Sequence, residues 1–177
     1  MTNAVSTERL FLRRFTPDDW LGLYACLSRP EVARFEPYEP YSEEKAKTEA
    51  ARRAENPDFW AVCLPDGRLI GTIFLSKQPA FETWELGYAF HPDFWGHGYA
   101  SEAARAMLGE VFGREGAWRV VAMCDPENRA SWRLLERLGM RREGHLRRNI
   151  WFKRDETGAP IWKDTYEYAI LREEWNA

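Results

Sequence analysis

Cysteine and histidine are scarce in this chain: three of each in 177 residues. Cys26, Cys63 and Cys124 form no C-x-x-C pair and no cluster with histidine. Neither a zinc site nor a disulfide framework is supported, and three buried, reduced thiols are expected, with no bound metal. Long apolar runs are also missing. No stretch approaches the ~20 apolar residues of a membrane span, and the opening MTNAVSTERLFLRR lacks the basic flank and apolar core of a signal peptide. A cytoplasmic protein with no membrane partner is the expectation. Positive charge is not in excess either: the formal net charge is −3 and the sequence pI is near 5.7, which argues against nucleic acid as the main ligand.

What the chain does have is length for one domain, 1–177, able to bury about two-thirds of its unfolded surface. Its nine tryptophans point to a dense core or an aromatic-lined cleft. ERLFLRRF (8–15) reads as a half-buried strand. TPDDWLGLYACL follows as a helix, with Thr16, Pro17 and Asp19 forming a T-x-x-D start. Pro30, Pro37 and Pro40 forbid a continuous helix in the next segment, and a second helix starts at Ser42. FWAVCL, PDG and RLIGTIFL predict a hairpin, and TWELGYAFH (83–91) a third strand. A helix from about 99 to 114 follows, then WRVVAMC (118–124), whose apolar run predicts a strand buried on both faces. ENRASWRLLERLGM reads as a helix closed by Gly139, and two strands around LRRNIWFKR and IWKDTYEYAIL finish the chain. The order is β-α-α-β-β-β-α-β-α-β-β, a mixed α/β domain without repeat or linker.

HPDFWGHGYASEAARAML (91–108) places Gly96 and Gly98 just ahead of a helix. Both glycines can take positive φ and bring backbone close to a ligand. Amides from about Gly96 to Ser101 would then converge on an anion at the positive end of the helix dipole. A tight packing turn is the competing reading. A dinucleotide fingerprint fails because Ser101 stands where the third glycine should, and no G-K-[ST] of a nucleotide-binding P-loop is present.

WGHGYASEA resembles the acyl-CoA-binding turn of the GCN5-related N-acetyltransferases (GNAT), [QR]-x-x-G-x-[GA], with His97, Gly98, Tyr99 and Ala100 on its last four positions. Trp95 replaces the usual Gln or Arg, as in the RimJ/RimL branch. ENRASWRLLERLGM resembles the next motif of that family through Asn128, Ser131, Leu134, Gly139 and Met140, and TERLFLRRFTPDDW and LREEW are similar to that branch at the two ends. The resemblance spans nearly the whole chain. It implies a GNAT-like fold with a central mixed, mainly antiparallel seven-stranded sheet and four helices. It also implies acetyl-CoA as co-substrate and transfer of its acetyl group to a primary amine by direct attack, through a tetrahedral intermediate. The strands holding ELGYAF and VVAMC splay to admit pantetheine, and the pyrophosphate sits on the turn at 96–101. Phe90, Trp95, Gly96, His97, Gly98, Tyr99, Ala100, Ser101, Asn128 and Arg133 are the expected cofactor-binding residues, with Arg105 and Arg129 as further partners for the 3′-phosphate.

Glu85 is the expected base, acting directly or through a water; a solvated strand-face glutamate is the alternative. The requirement on it is modest for an α-amine of pKa ~7.8, which costs ~1 kcal/mol to deprotonate at pH 7, and heavier for an alkylamine of pKa ~10.4, at ~4.6 kcal/mol. Many relatives supply the acid from a tyrosine where this chain has Leu135, which leaves Ser131 as the nearest candidate to hydrogen-bond the leaving sulfur; an ordinary first-turn helix serine is the alternative. The acidic and aromatic segment 29–44 (Glu31, Glu36, Glu39, Glu43, Glu44; Phe35, Tyr38, Tyr41) suits a cationic acceptor, though a solvated loop reads equally well. A protein N-terminus, a polyamine or an antibiotic amine fits that description, and a homodimer is a further expectation. A non-catalytic acyl-CoA sensor and an interaction module are the alternatives.

Overall fold

The structure, a computed structural model, describes residues 4–175. Its centre is one eight-stranded sheet with spatial order β1-β2-β3-β4-β5-β6-β8-β7. The strands are β1 (Ala4–Ser6), β2 (Phe11–Arg14), β3 (Phe59–Cys63), β4 (Leu69–Lys77), β5 (Thr83–Phe90), β6 (Arg119–Cys124), β7 (Arg141–Arg154) and β8 (Pro160–Leu171). Every neighbouring pair is antiparallel except β5 and β6. The mixed, mainly antiparallel sheet is as expected; the strand count is eight, because Ala4–Ser6 pairs with Phe11–Arg14 as a short edge strand. Three residues are too few to carry a readable alternation.

Five α-helices cover the sheet: α1 (Trp20–Leu27), α2 (Pro30–Ala33), α3 (Glu43–Glu55), α4 (Tyr99–Gly113) and α5 (Arg129–Arg137). The one not expected is α2, a single turn that Pro30 starts at a helical first position, where its missing N–H costs nothing. The start of α1 follows the sequence signals. Asp19 accepts the backbone N–H of Thr16 at 2.7 Å and pairs with Arg13 at 2.7 Å. Burial opposes the charge on Asp19, but these bonds outweigh it and hold its carboxyl below the usual range. Ser42 caps α3 by accepting Lys45 N–H.

The sheet separates two cores. Leu86, Phe90, Met107, Leu108, Leu134 and Tyr168 belong to the one under α4 and α5. Phe15, Leu23, Leu27, Ala46 and Cys63 belong to the one under α1 and α3. The expectation that β6 is buried on both faces fails: Val120 and Ala122 are buried, but Met123 is 53% exposed. Its apolar run serves one face only. Cys26 and Cys63 are buried free thiols as expected, whereas Cys124 is half-buried. Trp84 lies in the core, but Trp151 and Trp162 face each other across β7 and β8 and are exposed. Among the described residues no helix is long and apolar enough to cross a membrane, and no group of three metal-ligating side chains is assembled.

Candidate active site

The site begins with a fault in the sheet. β5 and β6 run parallel and pair only at Thr83–Arg119, Trp84–Val120 and Glu85–Val121. Past Glu85 the two strands have no registered partner in each other, although β5 stays paired with β4 as far as Phe90 and β6 with β8 as far as Cys124. A wedge therefore opens in the middle of the sheet.

A cavity of about 340 Å³ occupies this region, within the size range of small-ligand sites. Tyr88, Ala89 and Phe90 all line it, although alternate residues of a strand point to opposite faces. It thus wraps the free edge of β5. One side is built by Val32, Phe35 and Glu36, at α2 and just after it; the other by Trp95, Ala100, Asn128 and Ser131.

At the start of α4 the expected turn is present. Gly96 and Gly98 have φ of +80° and +82°. A Cβ at Gly96 would meet nothing within 4 Å, and one at Gly98 only the Arg9 guanidinium at 3.4 Å. Backbone conformation, not packing, requires these glycines. Gly98 is the helix N-cap and no side chain caps it, so the first-turn amides are left for another acceptor. Trp95 donates its indole N–H to the Phe90 carbonyl at 2.8 Å and lies against the cavity. His97 is exposed, and its carbonyl accepts from Arg9 at 3.0 Å.

Arg9 had no signal in the sequence. Besides the His97 carbonyl it binds Glu102 at 2.7 Å through Nε and lies 4.7 Å from the centre of the Tyr99 ring. Thr7 also donates to Glu102 at 2.5 Å. Burial opposes the charge on Glu102, but the bonds from Thr7 and Arg9 outweigh it and keep its carboxyl low. The acid in the first turn of α4 is thereby turned toward β2 and its positive partner. Ser101 lies 3.5 Å from Arg137, whose carbonyl in turn accepts from Arg105 at 3.2 Å. Arg129 lines the cavity, and Arg133 is exposed over the Trp132 ring.

On α5, Asn128 caps the helix by accepting the Ser131 N–H at 3.2 Å. Ser131 makes the central contact: its hydroxyl oxygen is 2.9 Å from that of Tyr88, and Tyr88 also donates to its carbonyl at 3.1 Å. Burial pushes the Tyr88 phenol far up, against the opposing effect of Ser131, so it stays protonated. Burial likewise raises the Cys124 thiol to about 11, partly offset by a hydrogen bond with Ser131. Leu135 is fully buried in the core. Tyr88 could have been found from the alternation in TWELGYAF, since it shares a face with Trp84, Leu86 and Phe90, toward α5.

Glu85 is half-buried and is not among the residues that line the cavity. Its carboxylate accepts the Gln78 side-chain amide at 2.9 Å. Glu36 does line the cavity, and burial raises its carboxyl to about 7, with Arg53 pulling weakly the other way.

Residues 9–141 match the acetyltransferase (GNAT) domain family. The chain is 38% identical to an uncharacterized N-acetyltransferase, YnaD of Bacillus subtilis, over 174 residues, covering 97% of this chain and 99% of that one. It is 34% identical to a second from the same organism, YoaA, over 97% of this chain and 98% of that one. Among solved structures, a GNAT-family acetyltransferase from Bacillus anthracis superposes with a TM-score of 0.88 at 33% identity, covering 96% of this chain and 99% of that one.

Proposed function

Since the chain belongs to the GNAT acetyltransferases, we propose that it acts as one N-acetyltransferase domain over 1–177, in the RimJ/RimL-like branch. It moves an acetyl group from acetyl-CoA to a primary amine. The observation that carries this reading is the wedge between β5 and β6, with the uncapped first turn of α4 and the Tyr88–Ser131 pair on one cavity.

The residues present fit a CoA ester. Amides from Gly96 to Ser101, bare of side-chain caps, suit the pyrophosphate. Arg105 and Arg137 add positive charge beside Ser101, while Arg129 and Arg133 stand farther along α5. Asn128 offers amide chemistry at the cavity wall, and the unpaired edges of β5 and β6 offer backbone groups to the pantetheine amides. Phe90, Trp95 and Ala100 line the cavity where the arm would turn, and the Tyr99 ring lies against Arg9 beside them.

When bound, acetyl-CoA supplies a thioester carbonyl that an amine attacks directly. This chain's residues then handle protons. Ser131 donates toward the leaving sulfur as the Tyr88 hydroxyl passes it a proton, and the phenol, which burial keeps protonated, regains one from the second N–H of the attacking amine. The pair takes the place of the tyrosine that Leu135 displaces. Glu85, engaged by Gln78 and outside the cavity wall, reaches the amine only through water.

Calorimetric titration with acetyl-CoA, free CoA and NAD tests the reading. Micromolar binding of acetyl-CoA without an NAD signal, and CoA release on addition of a primary amine, is the expected result. Absence of acetyl-CoA binding up to millimolar concentration would overturn it.

A further inference from the structure

We propose that Glu36 is the carboxylate that receives the acceptor's ammonium group and takes its proton, selecting a primary amine with a single positive charge. This rests on the acetyltransferase reading above and adds to it the chemistry of the acceptor pocket.

Glu36 sits on the loop after α2, on the wall of the cavity that also holds Tyr88 and Ser131. Its backbone is fixed by a hydrogen bond from its N–H to the Ala33 carbonyl at 3.2 Å. Among the described residues its carboxylate has no hydrogen bond and no ion pair. A half-buried acid without a partner is costly to keep charged, and such groups concentrate where a ligand completes them.

The surroundings explain why none of the described residues neutralises it. Among them, Arg53 on α3 acts on Glu36, and its guanidinium is already bound to Glu49 at 2.8 Å and to Thr72 at 3.0 Å. Tyr38 on the same loop and Tyr88 on β5 are neutral phenols, each pushed up by burial and further by the charge of Glu36. Glu31 and Arg34 from α2, and Glu127 and Arg129 from the start of α5, complete the charged groups lining the cavity. With Glu36 the wall carries three acids against two bases, a net of a single negative charge, which matches a singly charged ammonium better than a polycation.

An arriving ammonium cancels the Glu36 charge. A base whose carboxyl titrates at about 7 then takes one N–H proton at neutral pH. The freed amine forms the N–C bond and the C–S bond breaks. The second N–H proton passes to the Tyr88–Ser131 pair as Ser131 gives one to the leaving thiolate, and the Glu36 proton returns to solvent. Against an acceptor of pKa ~7.8 the transfer to Glu36 is nearly level, whereas against an alkylamine of ~10.4 it is uphill by about three pH units.

The test compares wild type, Glu36→Gln and Glu85→Gln on a short alanine-initiated peptide amide and on spermine, with acetyl-CoA affinity measured in parallel. Wild type should favour the peptide by about 300-fold at pH 7, following the difference in free amine. Glu36→Gln should lose about 100-fold in kcat/KM and lose the acidic limb near pH 7, with acetyl-CoA binding retained. Glu85→Gln, which removes the carboxylate that reaches the amine through water, should lower kcat but keep that limb. Carbon-13 titration of the glutamate carboxyls, with propylammonium as probe, reads the same site without turnover. One resonance, missing in Glu36→Gln, should titrate near 7 and move downward when the probe is added. A Glu36→Gln enzyme with wild-type rate and limb, or a Glu36 resonance titrating in the ordinary range and blind to propylammonium, overturns the proposal. Failure of the wild type to bind acetyl-CoA would instead remove the acetyltransferase reading.

Discussion

The hydroxyl of Tyr88 on β5 lies 2.9 Å from that of Ser131 on α5, and the same phenol donates to the Ser131 carbonyl at 3.1 Å. One side chain thus bridges the opened strand and the first turn of the helix facing it. In a buried setting two coupled hydroxyls form a proton path whose members cannot be removed independently.

Tyr88→Phe should therefore lower kcat by about 10² to 10³, with acetyl-CoA affinity within about threefold of wild type. Ser131→Ala should cost a similar amount, and the double variant little more than either alone. Single-turnover rates and calorimetric titration check this; additive losses would mean that the two hydroxyls act separately.

Gly98→Ala places a Cβ where φ is +82°. The strain is about 1 kcal/mol, and it displaces the first-turn amides proposed to hold the CoA pyrophosphate. Acetyl-CoA affinity should fall by about tenfold or more, while the melting temperature drops by only a few degrees. Equal losses in the two measurements would assign the glycine to folding instead.

Removal of Arg9 is expected to act on the same turn from outside. Arg9→Ala frees the His97 carbonyl and leaves Glu102 with Thr7 and a backbone N–H as its partners. The Arg9 side chain is 44% exposed, so the fold should lose about 1 kcal/mol or less. The charge on Glu102 then stands unopposed in the first turn of α4, and CoA affinity should fall further than stability. Denaturant midpoints beside titration of CoA separate the two.

Glu36 gives a pH signature in stability. Its folded carboxyl titrates at about 7, above its ordinary value of 4.5. The folded state therefore binds more protons than the unfolded state between these values, and stability must fall as pH rises through that window. Allowing for partial contact with solvent, the loss is about 2 kcal/mol. Glu36→Gln should match wild type near pH 4.5, be more stable above pH 7, and flatten the curve between. Thermal melts across pH 4.5–8 check the sign.

Much of this was legible in the chain. The T-x-x-D start of α1, the Ser42 cap, the two glycines and the Asn128–Ser131 spacing each carry a local signal, because caps and turns are decided within four residues. What the chain concealed is non-local. Arg9 reaches the turn at 97–102 from the far end of the sequence. Glu36 is one of several glutamates in an acidic stretch, and only the fold shows that its carboxylate lacks a partner among the described residues. Glu85 occupies the expected strand, yet the sequence could not reveal that Gln78, across the β4–β5 turn, engages it. The exposed Trp151–Trp162 pair escaped for the same reason, since composition says nothing of which face a hairpin presents.

The wedge between β5 and β6 also has a thermodynamic meaning. A sheet whose centre holds together through three paired positions has its weakest seam at the proposed CoA cleft. A ligand that adds hydrogen bonds along both open edges completes the ladder and stabilises only the folded state, by about 2.7 kcal/mol at a hundredfold excess over Kd. The supply of acetyl donor would then set how long each molecule stays folded, as well as how fast it turns over.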